Sequence, residues 1–298
     1  MRSGHLRAVS PWITKKKKKH NRQHYTKFQG QVSALCKINA SVIQGSGTGP
    51  PNFVVAISGL KPVHRSNSLL KYADDSYIII PASAINTTSS ELENVATWAL
   101  TCNLKLNSNK SKEMVFRRPR SNLSITPPLL PGIERVAKSV ILGVTITDRL
   151  NFDPHIDKIC IKACQSLYAI RILIAHGLSG TCLHDVVRAT PLASILYASS
   201  AWSGFANVGQ RARISAIIRK LVRLNYLPAD QMSFDDLCDR ADSSLFSSML
   251  HNPSHVLSCL LPPVKQVTYS LRPRTHNRVI PFVDTLTRKG FITRMLYK

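Results

Sequence analysis

At 298 residues the chain is long enough for one large domain or two modest ones, and a hydrophobic content of 44% excludes disorder throughout. Forty Lys and Arg against 16 Asp and Glu give a formal net charge of +24, which attracts polyanions and puts nucleic acid ahead of an anionic membrane surface as the partner class. Apolar runs such as residues 53–57 and 78–80 fall far short of the roughly 20 residues that span a bilayer. No charged-then-apolar signal segment opens the chain, and the seven cysteines lack the dense spacing of a secreted disulfide scaffold. The expectation is a soluble protein of the nucleus or cytoplasm with reduced thiols and no membrane partner.

Residues 1–40 show no sustained apolar period and carry five consecutive lysines, Lys15 to Lys19. A block of like charge repels itself, so this stretch is predicted to be a disordered basic arm, serving nuclear targeting or phosphate contact, or else a solvated, dispensable terminus. From Ser41 the texture changes. Three glycines and two prolines fall between Gly45 and Pro51 and predict a loop, ahead of an apolar segment from Phe53 to Leu60.

The stretch LLKYADDSYIII, Leu69 to Ile80, reads as two strands around a tight turn. Ser90-Glu91-Leu92-Glu93 predicts a capping box, with Leu92, Val95, Ala96 and Ala99 at helical spacing up to about Asn103. EMVF and SVILGVTI predict further short strands. Asp153 followed by Pro154 predicts the start of a second helix, whose stripe Ile156, Ile159, Ala163, Leu167 and Ile170 runs at core spacing. Pro191 should break or kink the next helical segment. A helix from about Gln210 to Tyr226 would bury Ile214, Ile218 and Leu221 and turn Arg219, Lys220 and Arg223 outward. Beyond Pro228 a partly ordered tail is predicted.

Asp74 and Asp75 are the first acidic residues of the chain. Two carboxylates held together in a hairpin turn suit a divalent cation, because Mg²⁺ takes oxygen ligands and is commonly bound by one or two carboxylates plus substrate phosphates. In nucleotidyl transfer two such ions stabilise the attacking and leaving oxygens of an in-line displacement. An exposed Asp-Asp turn is the plain alternative.

Around this pair, the order Gln44-Gly45, Tyr72-Ala73-Asp74-Asp75, Asn107 to Lys112 and Leu142-Gly143 resembles the reverse transcriptases of non-LTR, LINE-like retrotransposons. The resemblance implies an α+β fold: a partial right-hand polymerase palm over 41–147, an antiparallel sheet with helices, then an all-α thumb-like region over 148–228 and a basic tail over 229–298. It implies RNA-directed DNA polymerase activity on an RNA template, a DNA primer and deoxynucleoside triphosphates, with Mg²⁺ or Mn²⁺. Asp74 would be a metal ligand, with Asp75 supporting or sharing the site. Gln44, Gly45 and Tyr72 would lie at the substrate, Lys110 or Lys112 near the triphosphate, and Leu142-Gly143 in the hairpin that grips the primer. Arg219, Lys220 and Arg223 would track the duplex backbone.

The family also uses a catalytic aspartate upstream of the Gln-Gly loop, whereas residues 1–73 contain no Asp or Glu. Impaired activity from a truncated product is therefore expected, and a non-catalytic nucleic-acid binder derived from the same domain is the alternative. A zinc module is a third possibility, since Cys238, His251, His255 and Cys259 carry ligand chemistry, though the paired cysteines of a zinc finger are missing and Pro253 lies between the histidines.

Overall fold

The computed structural model describes residues 6–14, 22–38, 49–102, 104–117, 127–266 and 276–298. The chain combines helices with small sheets and divides into two compact units, Met1–Ser139 with Thr147–Leu150, and Val140–Ile146 with Asn151–Lys298.

The first unit is built on a five-stranded sheet. Strand β1 (Leu6–Thr14) is followed by two short strand pairs, β2 (Arg22–His24) with β5 (Cys36–Ile38), and β3 (Lys27–Phe28) with β4 (Gln31–Val32). Helix α1 (Gly49–Ser58) precedes the hairpin of β6 (Ser68–Tyr72) and β7 (Asp75–Pro81); helix α2 (Thr88–Thr101), β8 (Lys105–Phe116) and β9 (Glu134–Arg135) complete the unit. The sheet order is β6-β7-β1-β8-β9, antiparallel except for the short β8/β9 pairing.

Alternation along β7 explains its place. Ser76, Ile78 and Ile80 are buried while Asp75, Tyr77, Ile79 and Pro81 are half-buried, the period of two that a strand imposes. Ile78 and Ile80 close a small core with Leu60, Ala84 and Val95, the last contributed by α2. Lys71, on β6, donates from Nζ to the carbonyls of Ile57 and Leu60 at 2.8 and 2.5 Å. It thereby satisfies carbonyls at and beyond the C-terminal end of α1, where a cation also suits the helix dipole.

Two predicted details differ. The Gly45–Pro51 loop ends earlier, because α1 takes in Gly49, Pro50 and Pro51. Prolines in a first helical turn give up N–H groups that have no helical partner there. The capping box at Ser90 does not form: α2 starts at Thr88, and Glu91 is buried instead, 1% exposed. Its carboxylate accepts from the Val63 and His64 N–H groups and from Asn67 Nδ2, at 3.1, 2.8 and 2.8 Å. Three donors offset the desolvation that a lone buried carboxylate would suffer.

The second unit opens with the hairpin β10 (Lys138–Ile141) and β11 (Val144–Thr147), strands at the boundary between the two units, and is otherwise helical. Helix α3 (Asp153–Ala175) buries the predicted stripe of Ile156, Ile159, Ala163, Leu167 and Ile170. Its N-cap is Phe152 rather than Asp153, and the Asn151 side chain accepts from the Asp153 N–H at 2.6 Å. Helix α4 (Gly180–Val187) runs through a π-turn at Arg188–Leu192 into α5 (Ala193–Leu196), with the predicted kink residue Pro191 inside that turn. Helix α6 (Ser199–Trp202) places the fully buried Trp202 against Phe234 and the His155 ring.

Helix α7 (Val208–Arg223) starts at a reciprocal capping box of Asn207 and Gln210 and buries Ile214, Ile218 and Leu221 as predicted. The remaining helices are α8 (Phe234–His251), α9 (Thr285–Arg288) and α10 (Phe291–Leu296). Burial of each fully enclosed Ile or Leu in this core contributes about 1.5–3 kcal/mol.

Both chain ends contain regular elements that composition did not indicate. Within the predicted arm, Leu6–Thr14 is a central strand paired on both edges, and 22–38 contains two short strand pairs, while the lysine block lies outside the described residues. Within the predicted tail, 234–251 is a single long helix, because its capping Ser233 and its buried Phe234, Cys238, Asp242, Phe246 and Met249 recur at helical spacing. The C-terminal α10 docks on α8 through Phe246, Met295 and Leu296, and Arg294 bonds Asp242, Ser203 and the Ser200 carbonyl. Gly204 permits that docking, since a Cβ there would fall 2.2 Å from the Lys289 carbonyl and 2.3 Å from Arg294.

Replacing Glu91 by Ala should lower the stability of the first unit by about 2–4 kcal/mol, because the buried Asn67 amide and two partly buried backbone donors lose their acceptor. Urea unfolding combined with hydrogen exchange on β6 and α2 measures this; Glu91→Gln, which keeps one acceptor, should lose less.

Candidate functional site: an acidic hairpin and a basic helix face

The Tyr72–Asp75 hairpin is a two-residue connection. Tyr72 pairs with Asp75 across the ladder, and the turn is made by Ala73, in the left-handed region at φ 49°, and Asp74. A left-handed φ on alanine is uncommon, and the ladder on either side holds it there. Asp74 is exposed at the tip, Asp75 is half-buried as the first residue of β7, and Tyr72 is 64% exposed on the edge strand. The Tyr77 hydroxyl donates to Asp75 Oδ2 at 3.3 Å, a contact within reach because residues two apart on a strand share a face. That periodicity was available in the sequence, although Tyr77 was not among the predicted site residues.

The neighbouring strands decide what else approaches this turn. Trp12 of β1 is in register with Asp75 on one side and with Asn107 of β8 on the other. Asn107 is therefore two strand spacings, about 10 Å, from the acidic hairpin. Immediately beyond it the β1/β8 register shifts, from Trp12↔Asn107 to Ser10↔Lys112. Pro11 sits at this shift, and a residue with no N–H is tolerated inside a sheet at such a bulge.

The extra residues of β8 include Lys110, which is exposed and whose N–H donates to Asn107 Oδ1 at 3.3 Å. Lys112 lies past the bulge and pairs with Glu134 at 3.4 Å. Of the two predicted triphosphate lysines, Lys110 is in the bulge that opens across β1 from the acidic pair, and Lys112 is engaged by a surface carboxylate. Gln44 and Gly45 lie outside the described residues.

Two adjacent carboxylates fit one Mg²⁺ or Mn²⁺ whose remaining positions are filled by phosphate oxygens and water. They do not fit a pair of ions, because β1, the strand beside β7, is LRAVSPWIT and has no carboxylate. Among the described residues no three of His, Cys, Asp and Glu form a group suited to a metal.

The zinc reading is not sustained either. Cys238 and His251 stand thirteen residues apart on the single helix α8, about 20 Å along its axis, too far to share an ion. His251 Nδ1 donates to the Ser247 carbonyl at 2.8 Å, and burial pushes the Cys238 thiol up to about 11. A buried, protonated thiol is a poor metal ligand.

The other predicted residues belong to the second unit. Leu142 and Gly143 form the turn of the β10/β11 hairpin with φ of 46° and 87°, the paired left-handed geometry of a tight hairpin. The Leu142 carbonyl accepts from the Tyr197 hydroxyl at 3.0 Å, and a Cβ on Gly143 would fall 3.1 Å from the same ring. Glycine thus serves both the conformation and the approach of Tyr197. His155 adds a second tether, its Nδ1 accepting from the Thr145 N–H at 3.4 Å. Neither tether has a local signal in the sequence. On α7, Arg219, Lys220 and Arg223 are exposed, on the side opposite Ile214, Ile218 and Leu221.

His155 is 4% exposed, and burial lowers its pKa below the ordinary imidazole value, with Lys158 adding to the effect. The folded state therefore holds it neutral where the unfolded chain takes up a proton. Stability from this group is present above about pH 6.5 and is lost as pH falls through the lowered folded value. Thermal melts from about pH 8 to about pH 5 should show that loss, and His155→Gln should flatten it; an unchanged pH profile in the variant would be the contrary result.

Comparison with known proteins brings no match, either to a protein-family model or to a curated protein. Among the described residues no helix is long and apolar enough to cross a membrane.

Proposed function

We propose that the chain carries the part of a non-LTR retrotransposon reverse transcriptase that surrounds the Tyr-Ala-Asp-Asp hairpin, and that it acts mainly by binding RNA or DNA. The observation that supports this most directly is the hairpin itself: Tyr72 to Asp75 at the end of two paired strands, with a lysine-bearing bulge about 10 Å away across one intervening strand. In this reading β6, β7, β1 and β8 with α1 and α2 are the retained palm, and α3 to α7 are the thumb. Leu142 and Gly143 then belong to the primer-gripping hairpin, and Asp74 and Asp75 hold one Mg²⁺ or Mn²⁺ together with the phosphates of an incoming nucleotide.

Binding is favoured over catalysis by one specific feature. The strand paired with β7, Leu6–Thr14, contains no Asp or Glu, so it supplies no acidic ligand for the second ion of a two-metal transfer. Losing one ligand set from such a site removes a principal source of transition-state stabilisation. The cationic side of the reading needs no such completion. Exposed Arg219, Lys220 and Arg223 on one helix face, in a chain of net charge +24, provide phosphate contacts whose strength falls with salt and whose sequence preference is weak.

Primer extension on a primed RNA template with Mg²⁺ or Mn²⁺ tests the catalytic half. Any extension by the intact chain should disappear in Asp74→Asn, with nucleic-acid affinity unchanged. Extension that survives the substitution would remove Asp74 from the metal site. Binding is tested separately by the dependence of log affinity on log salt: Arg219→Glu with Arg223→Glu should reduce the slope by about 2 and weaken binding at least about tenfold. An unchanged slope would refute the thumb assignment.

A further inference from the structure

Helix α3 buries one face, yet its opposite face is not wholly polar. Ile161 (59% exposed), Tyr168 (68%) and Ile172 (44%) lie in the open at intervals of seven and four residues, with exposed Cys164 between the first two. That spacing puts them on one line along the helix, about 17 Å long. Beside the line, α3 and α7 enclose a groove of about 640 Å³, floored by Cys160, Ile161, Cys164, Ala216 and Ile217. At one end the groove is crossed by the Arg213–Asp157 ion pair at 2.7 Å. An apolar stripe at helical spacing, continuous with an apolar inter-helix groove, is the receiving half of helix-in-groove recognition.

The charges around the stripe select the occupant. On its outer side stand exposed Lys158 and Lys162, and on the α7 side Arg213 and exposed Lys220, with Arg171 at the far end. Asp157 neutralises only Arg213. A second copy of this chain would bring the same cations against them, on top of a net charge of +24. A partner helix with acidic flanks meets the rim with opposite charge and the floor with apolar side chains. A nucleic-acid strand satisfies the rim but leaves the apolar floor unfilled.

We infer that the α3/α7 groove is a docking site for an acidic amphipathic helix of a partner protein, a site that borders the α7 phosphate-contact face at Lys220, does not include Arg219 or Arg223, and does not depend on the polymerase reading. The bound helix lays apolar residues at i, i+3 or i+4, and i+7 over Ile161, Cys164 and Ala216, with glutamates or aspartates against Lys158, Lys162 and Lys220.

The test uses the full chain and a designed peptide of about 18 residues, five helical turns, with Leu at i, i+3, i+4 and i+7 and Glu on both flanks. Two readouts are taken: fluorescence anisotropy of the labelled peptide, and mass-spectrometric timing of Cys164 alkylation by N-ethylmaleimide. Saturable binding should slow alkylation of Cys164 but not of exposed Cys182, and Ile161→Asp should weaken binding at least about tenfold by placing an unpaired charge on the groove floor. Ile161 is exposed, so the variant should fold, and Arg219→Glu with Arg223→Glu, which leaves the groove floor intact, should weaken peptide binding less than Ile161→Asp does.

Several outcomes would overturn the inference. Equal binding by a control peptide with the same glutamates but Ser for Leu would reduce the effect to bulk charge. Cys164 already unreactive in the isolated chain would mean that the groove is covered by the chain's own residues. A concentration-dependent dimer dissolved by Ile161→Asp would assign the groove to a second copy. Duplex or single-stranded DNA that protects Cys164 and competes with the peptide in the Arg219→Glu, Arg223→Glu variant would assign it to nucleic acid.

Discussion

The first unit depends on hydrogen bonding along both edges of β1. The β6/β7 hairpin and β8 are far apart in the chain, and they share a sheet only because Leu6–Thr14 pairs with each of them. An isolated two-stranded hairpin is marginal in water. With β1 in place, the acidic turn becomes the end of a five-stranded sheet whose other face is covered by α2. Pro11 then fixes where the β1/β8 ladder must break, and the break brings Lys110 to the same end of the sheet as Asp74 and Asp75. Position in the sheet, rather than proximity in sequence, assembles the candidate site.

The second unit is held by a different means. Its centre is a continuous apolar cluster drawn from α3 to α8, with Trp202 stacked on Phe234 and edge-on to His155. Two polar contacts, from Tyr197 and to His155, attach the β10/β11 hairpin to this cluster, and a third set centred on Arg294 attaches the C-terminal helix. Each polar tether lands beside an apolar surface that is already ordered, which keeps the entropic cost of forming it low. The outward face of the same helices carries the cations and the apolar stripe, so the packing that stabilises the unit also decides which residues are left for partners.

Much of this organisation was legible beforehand, for identifiable reasons. The stripe of α3, the buried residues of α7, the Tyr72–Asp75 hairpin and the kink at Pro191 all follow from periodicity or from the backbone limits of turns and Pro, which act within a turn or two of the chain. The capping box at Ser90 failed because Glu91 found three donors more than twenty residues upstream, a partnership that no local pattern encodes. The basic arm differs for a related reason, and the helix within the partly ordered tail shares it. Composition describes a segment in water, whereas Leu6–Thr14 and 234–251 are ordered by surfaces supplied from elsewhere.

The sequence by itself determined the chemistry available here: two adjacent carboxylates in a turn, no acidic residue before them, a large excess of cations, and helices with one apolar face. These are properties of residue type and short-range spacing. Only the tertiary structure decided that β1 is the neighbour of the acidic hairpin, that Lys110 rather than Lys112 occupies the bulge opposite it, that Cys238 and His251 are held apart by one rigid helix, and that Ile161, Cys164 and Ala216 border an open groove. Those outcomes rest on pairings and packings between distant segments, whose free energy appears only once both partners are in place.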